Sequence, residues 1–274
     1  MYIDGSDTKT GLGVAYASVD GITLLGHYIP TDTNDRINFQ VKAHEKRHRT
    51  NTCTPAPANS DLIYLLGTSR EILGLRREGP LECIMPPESE DDDRAFDTFS
   101  IDFKPLDVNT FFAGGRYSRL WMIDLRCPPD EWDWWQPRSP AIAHVKALNE
   151  HHVLAAGIKS EMCIYDVRFQ KKETTQPIVK FYDYKNEEHL DIGLDVNRSA
   201  GVVAAAHDDG KVAVYSLHSG HRLKAGDVDG IAADGPVKSM MFQTMPREKE
   251  ASLFVGAGPY IQKYSFGTAD KDEE

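Results

Sequence analysis

The sequence lacks the segments that mark secreted or membrane-spanning proteins. The chain of 274 residues opens without a charged-then-apolar leader, and no apolar run approaches the roughly 18 residues that a membrane-spanning helix requires. Cysteine is scarce, and the four residues Cys53, Cys83, Cys127 and Cys163 include no CxxC pair. Scattered thiols in a chain of this size are typical of reduced cysteines. We therefore expect an intracellular protein, in the nucleus or the cytoplasm, that does not bind a membrane.

Clustered positive charge and catalytic motifs are also missing. Acidic residues outnumber basic residues by 42 to 31, which gives a net charge of −11. This balance disfavours nucleic-acid binding, because phosphate contacts need clustered lysine and arginine. The sequence contains no Gly-rich phosphate loop and no GxSxG nucleophile elbow. We expect neither a cofactor nor a catalytic activity.

One segment has a spacing that is known from enzymes. His44, Glu45 and His48 satisfy the pattern H-E-x-x-H, which on a helix places two imidazoles for zinc and a carboxylate as general base. The segment has no apolar face, it runs into the loop-like sequence TNTCTPAP, and no third ligand follows at a recognised spacing. A charged loop is the favoured interpretation, as it is for the acidic run Glu88 to Asp93. A zinc peptidase is the remote alternative.

Strand-like runs recur along the chain, whereas no segment has a useful apolar period of 3.6 residues. A hairpin is expected around the turn Asp20-Gly21 and another around Gly67-Thr68-Ser69. Groups of three strand-like runs then follow in Phe99 to Arg126, Ala141 to Arg168, Leu190 to His218 and Pro236 to Gly267.

The strand groups repeat at a fixed interval. Comparable strand-end positions are Gly67, Gly114, Gly157, His207 and Gly256, at spacings of 47, 43, 50 and 49 residues. Units of about 40–50 residues with three or four short strands predict a β-propeller. The predicted fold is therefore all-β, a propeller with six recognisable blades, or seven if an N-terminal part is missing. Residues 1–267 would form one domain, and residues 268–274 an acidic disordered tail.

Two neighbouring units end in nearly the same sequence, AGGRYSRLWMIDLR at 113–126 and AAGIKSEMCIYDVR at 155–168. Asp124 and Asp166 are 42 residues apart, as are Arg126 and Arg168, whereas later units end in Ser-Leu-His and Ser-Phe-Gly. An aspartate two residues before an arginine on a strand lies on the same face and can orient the guanidinium toward a partner. Because the repeat itself does not require Asp-x-Arg, the asymmetry predicts a binding role, and a plain surface ion pair is the alternative.

The units resemble WD repeats, whose third strand commonly ends in Trp-Asp. The corresponding pairs here are Ile123-Asp124, Tyr165-Asp166, Tyr215-Ser216 and Tyr264-Ser265. Over residues 96–266, the order of units is similar to the WD-repeat substrate receptors of cullin-4 ubiquitin ligases, especially the family of the DDB-and-cullin-associated factor numbered four, also called WD repeat protein 21. The resemblance implies that Asp124, Arg126, Asp166 and Arg168 bind the DNA-damage-binding adaptor of the ligase, while another face holds a target protein. A WD-repeat scaffold of another complex, in chromatin or RNA processing, is the alternative.

Three tryptophans are close together in the sequence EWDWWQP. Trp132, Trp134 and Trp135 cannot all face one side of a strand, so an exposed indole that docks a partner is one prediction. Packing over the neighbouring unit is the other. The histidines at 207, 218 and 221 are expected at the surface or at strand ends, and the sequon at Asn197 is expected to be a turn.

Overall fold

The protein consists almost entirely of short antiparallel strands in a computed structural model. The structure describes the backbone of residues 13–19 and 22–28, and residues 50–76, 81–85, 97–170 and 175–265 in full. Within these ranges, the helical elements are two 3₁₀ turns, Pro129–Glu131 and Gly226–Gly230. The all-β prediction is confirmed at this level.

The strands of the described ranges form six sheets, which follow one another in chain order. Each strand pairs with its neighbours in sequence, so every sheet is a simple antiparallel meander. The strands are β1 (Gly13–Val19) and β2 (Ile22–Tyr28); β3 (Thr50–Pro55), β4 (Leu62–Thr68), β5 (Ile72–Arg76) and β6 (Leu81–Met85); β7 (Thr98–Phe103), β8 (Thr110–Gly115), β9 (Leu120–Asp124) and β10 (Asp133–Trp135); β11 (Ile142–Ala147), β12 (His152–Gly157), β13 (Met162–Asp166) and β14 (Val179–Lys180); β15 (Leu194–Asn197), β16 (Val202–Ala206), β17 (Val212–Ser216) and β18 (Arg222–Leu223); and β19 (Met240–Gln243), β20 (Ser252–Ala257) and β21 (Tyr260–Tyr264).

Turn chemistry sets the register of the hairpins. Lys159 and Ser160, in the four-residue connection between β12 and β13, both have positive φ, 60° and 55°, so the chain reverses through the left-handed region there. The predicted second hairpin turns one or two residues later than expected, at 69–71. Thr68 stays in β4, where its hydroxyl accepts the Glu71 N–H at 3.0 Å and donates to the Glu71 carbonyl at 2.9 Å. The predicted turn Asp20-Gly21 lies outside the described residues, although Val19 and Ile22 on either side are paired.

The first strands of neighbouring sheets lie beside each other. Side chains on one first strand form hydrogen bonds with backbone N–H or C=O groups of the next. The Thr54 hydroxyl on β3 donates to the Ile101 carbonyl on β7 at 2.9 Å. The Asp102 carboxylate on β7 accepts the Ala147 N–H on β11 at 2.8 Å. The Asp195 carboxylate on β15 likewise accepts the Phe242 N–H on β19 at 2.8 Å. These bonds protect strand edges that would otherwise be open to further pairing.

The same first strands contribute to one cavity. Residues from β3, β7, β11, β15 and β19 or their immediate flanks line a cavity of about 690 Å³. The lining includes the ion pairs Arg116–Asp97 and Lys238–Asp191, at 2.7 and 2.6 Å. Five consecutive sheets thus each contribute residues to one polar cavity.

The apolar core lies between neighbouring sheets. Each pair of adjacent sheets from β3 to β21 shares its own buried cluster, for example Leu154 and Tyr215 between the sheets β11–β14 and β15–β18. The sequence VVAAA of β16 is buried on both faces, because a sheet packs against each of them. Small apolar residues are therefore needed where the sheets approach most closely.

Candidate functional site

The four predicted binding residues lie at one edge of two neighbouring sheets. Strands β9 and β13 end at Asp124 and Asp166, which pair with Thr110 at the start of β8 and His152 at the start of β12. Arg126 and Arg168 follow two residues later, where the chain leaves the sheet. We call Asp124, Arg126, Asp166 and Arg168 the Asp-x-Arg edge.

Each aspartate accepts the same three hydrogen bonds from its own arginine. The Asp124 Oδ1 atom accepts the backbone N–H of Arg126 at 3.0 Å and its Nε at 2.8 Å, and Oδ2 accepts Nη2 at 2.7 Å. The corresponding distances from Asp166 to Arg168 are 3.0, 3.0 and 2.6 Å. The carboxylate therefore closes the turn and fixes the guanidinium at both positions.

The pairing stabilises both charges. The hydrogen bonds from Arg168 lower the pKa of Asp166 to about 2, and those from Arg126 lower the pKa of Asp124. The carboxylates in turn raise the pKa of each guanidinium above its usual value. All four groups are therefore ionised at neutral pH.

Each guanidinium keeps donors for a partner. The aspartates occupy the Nε and Nη2 side, and among the described residues no acceptor is hydrogen-bonded to Nη1 of Arg126 or Arg168. The two arginine side chains are 57% and 49% exposed. A partner carboxylate or carbonyl can therefore accept from Nη1 without breaking the internal pair.

Sequence reasoning missed the groups that support the two arginines. Asp107 and Thr110 accept from Nη2 of Arg126 at 3.1 and 3.4 Å. In the next sheet, His152 Nε2 lies 3.6 Å from Asp166 Oδ2. The signal was present, because Thr110 and His152 obey the same spacing of 42 residues as the motifs.

Trp132 supports the Asp-x-Arg edge from inside. Its indole Nε1–H donates to the carbonyls of Asp124 and Cys127, at 3.0 and 3.2 Å. In the next sheet the Gln170 Nε2 donates to the Asp166 carbonyl at 2.9 Å. The polypeptide turn that carries each arginine is thus held by a side-chain donor as well as by the aspartate.

The predicted tryptophan patch is wrong for two of its three members. Trp135 is buried, because β10 pairs with β9 and neighbouring apolar groups cover its side chain. Trp132, which directly precedes β10, is buried in the apolar cluster between the sheets β3–β6 and β7–β10. Trp134 is half-buried, with the Arg119 guanidinium 5.0 Å from its ring centroid and the Trp121 ring 6.0 Å away. The indoles are thus mainly packing groups, as the alternative interpretation expected.

The following sheet shows that the turn does not need Asp-x-Arg. Ser216 of β17 takes the aspartate position, and its hydroxyl accepts the backbone N–H of His218 at 3.2 Å. The Leu217 N–H bonds to the Gly201 carbonyl at 2.9 Å, as the Val167 N–H bonds to the His151 carbonyl at 2.8 Å. One side-chain oxygen closes the same turn without any charge. The two arginines are therefore not required to close this type of turn.

Other candidate groups do not form a site in the described part of the chain. No cluster of His, Cys, Asp and Glu there is arranged to hold a metal ion. His44, Glu45, His48 and the run Glu88 to Asp93 lie outside the described residues. Within the described ranges no helix reaches the length and apolarity needed to span a bilayer.

His207 lies at a strand end, which is one of the two locations predicted for it. It is buried at the end of β16, where its Nε2 lies 2.7 Å from the Tyr215 hydroxyl and its ring packs edge-on against Tyr184. Burial lowers its pKa. His218 and His221 are exposed, and Asn197 caps a turn by accepting the Ala200 N–H at 3.0 Å, both as predicted.

Comparison with known proteins gives no family assignment. No protein-family model matches the sequence, and no curated protein matches it. The geometry of the Asp-x-Arg edge and the resemblance in repeat order are therefore the features that point to a function.

Proposed function

We propose that the chain is a WD-type β-propeller without catalytic activity that serves as a substrate receptor of a cullin-4 ubiquitin ligase. The meander sheets in chain order, and the five first strands that contribute to one cavity, support the propeller. A rigid ring of sheets offers two faces, one for a docking partner and one for a second protein. The order of repeat units supports this particular class of receptor.

The observation that carries the proposal is that the same two-pronged Asp–Arg hydrogen bonding occurs twice at the Asp-x-Arg edge. Two arginines in adjacent sheets are held by the same three bonds, which do not use Nη1, and both side chains are about half exposed. The next sheet keeps the turn with Ser216 and discards the charges. An ion pair retained only for folding would have no reason to occur in two sheets and be dispensable in the third.

The hydrogen bonds from each aspartate to its arginine make the arginines suitable for docking. An arginine side chain loses rotamer freedom when it binds, and this loss opposes association. Here the aspartate has already fixed the Nε and Nη2 groups, so less freedom remains to be lost. Two guanidinium groups on neighbouring sheets, already held in position before binding, would bind a partner surface whose hydrogen-bond acceptors have a matching separation.

Binding of the purified cullin-4 adaptor to the purified protein tests the proposal. We expect the double variant Arg126→Ala/Arg168→Ala to lose most of the affinity in biolayer interferometry. Arg116→Ala is the matched control, because Arg116 is 46% exposed and bonds to Asp97 at 2.7 Å, but follows β8 at the opposite edge. Equal affinity of the double variant and wild type, with both correctly folded, would overturn the proposal, as would absence of binding by wild type.

A further inference from the structure

Leu106 is held in an unfavourable conformation at the surface. It occupies the third position of the turn Lys104–Asp107, closed by the Asp107 N–H to the Lys104 carbonyl at 3.2 Å. Its φ is +65° and it is 94% exposed. Glycine or asparagine is preferred at this position after proline, because a side chain with a Cβ is strained there. A large apolar residue thus carries both backbone strain and full exposure.

The position of Leu106 relates it to the Asp-x-Arg edge. The next residue, Asp107, accepts a hydrogen bond from Nη2 of Arg126 at 3.1 Å. A second exposed apolar side chain, Phe169, directly follows Arg168, whose guanidinium lies 5.2 Å from the Phe169 ring centroid. Phe169 is 74% exposed. One large exposed apolar residue thus follows Arg168 directly, and another directly precedes the aspartate that bonds to Arg126.

We infer that Leu106 and Phe169 are the apolar contacts of the docking surface, and that the partner covers them with an apolar patch. This inference rests on the proposed function. The partner would also place carboxylate or carbonyl oxygens against Nη1 of Arg126 and Arg168. Covering Leu106 and Phe169 removes water from the arginines, and a desolvated charged hydrogen bond is stronger than one in water. Strain at Leu106 is consistent with a functional role, because conformational outliers cluster at ligand-contacting positions.

Leu106→Gly separates binding from folding. Glycine relieves the strain, so we expect an unchanged or higher melting temperature, while the affinity for the purified adaptor falls on the order of tenfold. Arg247→Gly is the matched control, because Met245–Glu248 is the same kind of turn, with Pro246 in the second position and Arg247 at a φ of +77°. The control belongs to the sheet β19–β21, and we expect it to leave the affinity unchanged.

Phe169→Ala provides the second arm. We expect a similar loss of affinity, whereas Tyr182→Ala should have no effect. Tyr182 is a matched control, since it is 81% exposed with the Lys180 ammonium 5.6 Å from its ring centroid, and it follows β14 away from the edge. Unchanged binding by both Leu106→Gly and Phe169→Ala, when Arg126→Ala/Arg168→Ala abolishes binding, overturns the inference and leaves the proposed function standing. Failure of wild type to bind overturns both.

Discussion

The tight packing around Gly157, the last residue of β12, can be tested by substitution. A Cβ atom on Gly157 would lie 2.0 Å from the Ala141 carbonyl oxygen and 2.2 Å from the Ser139 hydroxyl. Both neighbours are part of a local network, because the Ser139 hydroxyl bonds to the carbonyls of Ala141 and Ile158 at 2.7 and 3.0 Å. Gly157→Ala therefore forces backbone to move rather than a flexible side-chain end.

The expected loss of stability follows from these contacts. Overpacking at a site that cannot relax costs about 1–3 kcal/mol. Weakening one of the Ser139 hydrogen bonds adds about 1 kcal/mol. A loss of about 2–4 kcal/mol corresponds to a fall in melting temperature of roughly 4–16 °C in a chain of this size.

Gly256→Ala is the matched control, since Gly256 occupies the corresponding position of β20. Its added Cβ would meet only the Ser239 carbonyl oxygen at 3.4 Å and the Ser239 Cβ at 3.6 Å, which are ordinary contacts. We expect an unchanged or slightly higher melting temperature, because alanine restricts the unfolded chain. Thermal unfolding followed by circular dichroism compares the two. Equal melting temperatures for the two variants would refute the packing argument.

Two further predictions concern the first strands. His144 Nε2 contacts the Ile192 carbonyl oxygen, and burial lowers the His144 pKa to about 4, below its unfolded value of about 6.5. The contribution of neutral His144 to the free energy of unfolding is therefore fully present above about pH 6.5 and is lost as the pH falls toward 4. In urea titrations, the free energy of unfolding of His144→Gln should fall less steeply over this pH range than that of wild type. An identical fall in both proteins would contradict the reasoning. Asp102→Ala removes the acceptor of the Ala147 N–H and of Arg198, at 2.8 and 2.9 Å. It should cost about 2–3 kcal/mol in urea unfolding, whereas a loss below about 0.5 kcal/mol would contradict the bridging role.

The support around the arginines shows where sequence reasoning was incomplete. The spacing of 42 residues identified Asp124, Arg126, Asp166 and Arg168. It did not predict that Asp107 reaches Arg126, because that contact depends on how the turn between β7 and β8 folds back to the end of β9. Contacts across a turn are decided by backbone geometry, which residue spacing leaves open.

The sequence by itself determined the all-β class, the repeating strand groups and the two Asp-x-Arg endings. These features are readable because strand alternation and turn residues are local properties, and a repeat makes the same local property recur. The turn at Asn197 was readable for the same reason, since its side chain bonds to the backbone three residues away.

Only the tertiary structure decided which side chains are buried between sheets. The sequence left open whether the tryptophans are exposed or packed, and Trp132 is buried with its Nε1–H bonded to the Asp124 carbonyl. His207 lies at a strand end, as one of its two predicted locations, and it is buried beside the Tyr215 hydroxyl. Burial depends on which face of a strand the adjacent sheet covers, and that adjacent sheet can begin 45 or more residues away in the chain. For the same reason, only the tertiary structure shows that Leu106 is exposed and that the next residue, Asp107, bonds to Arg126.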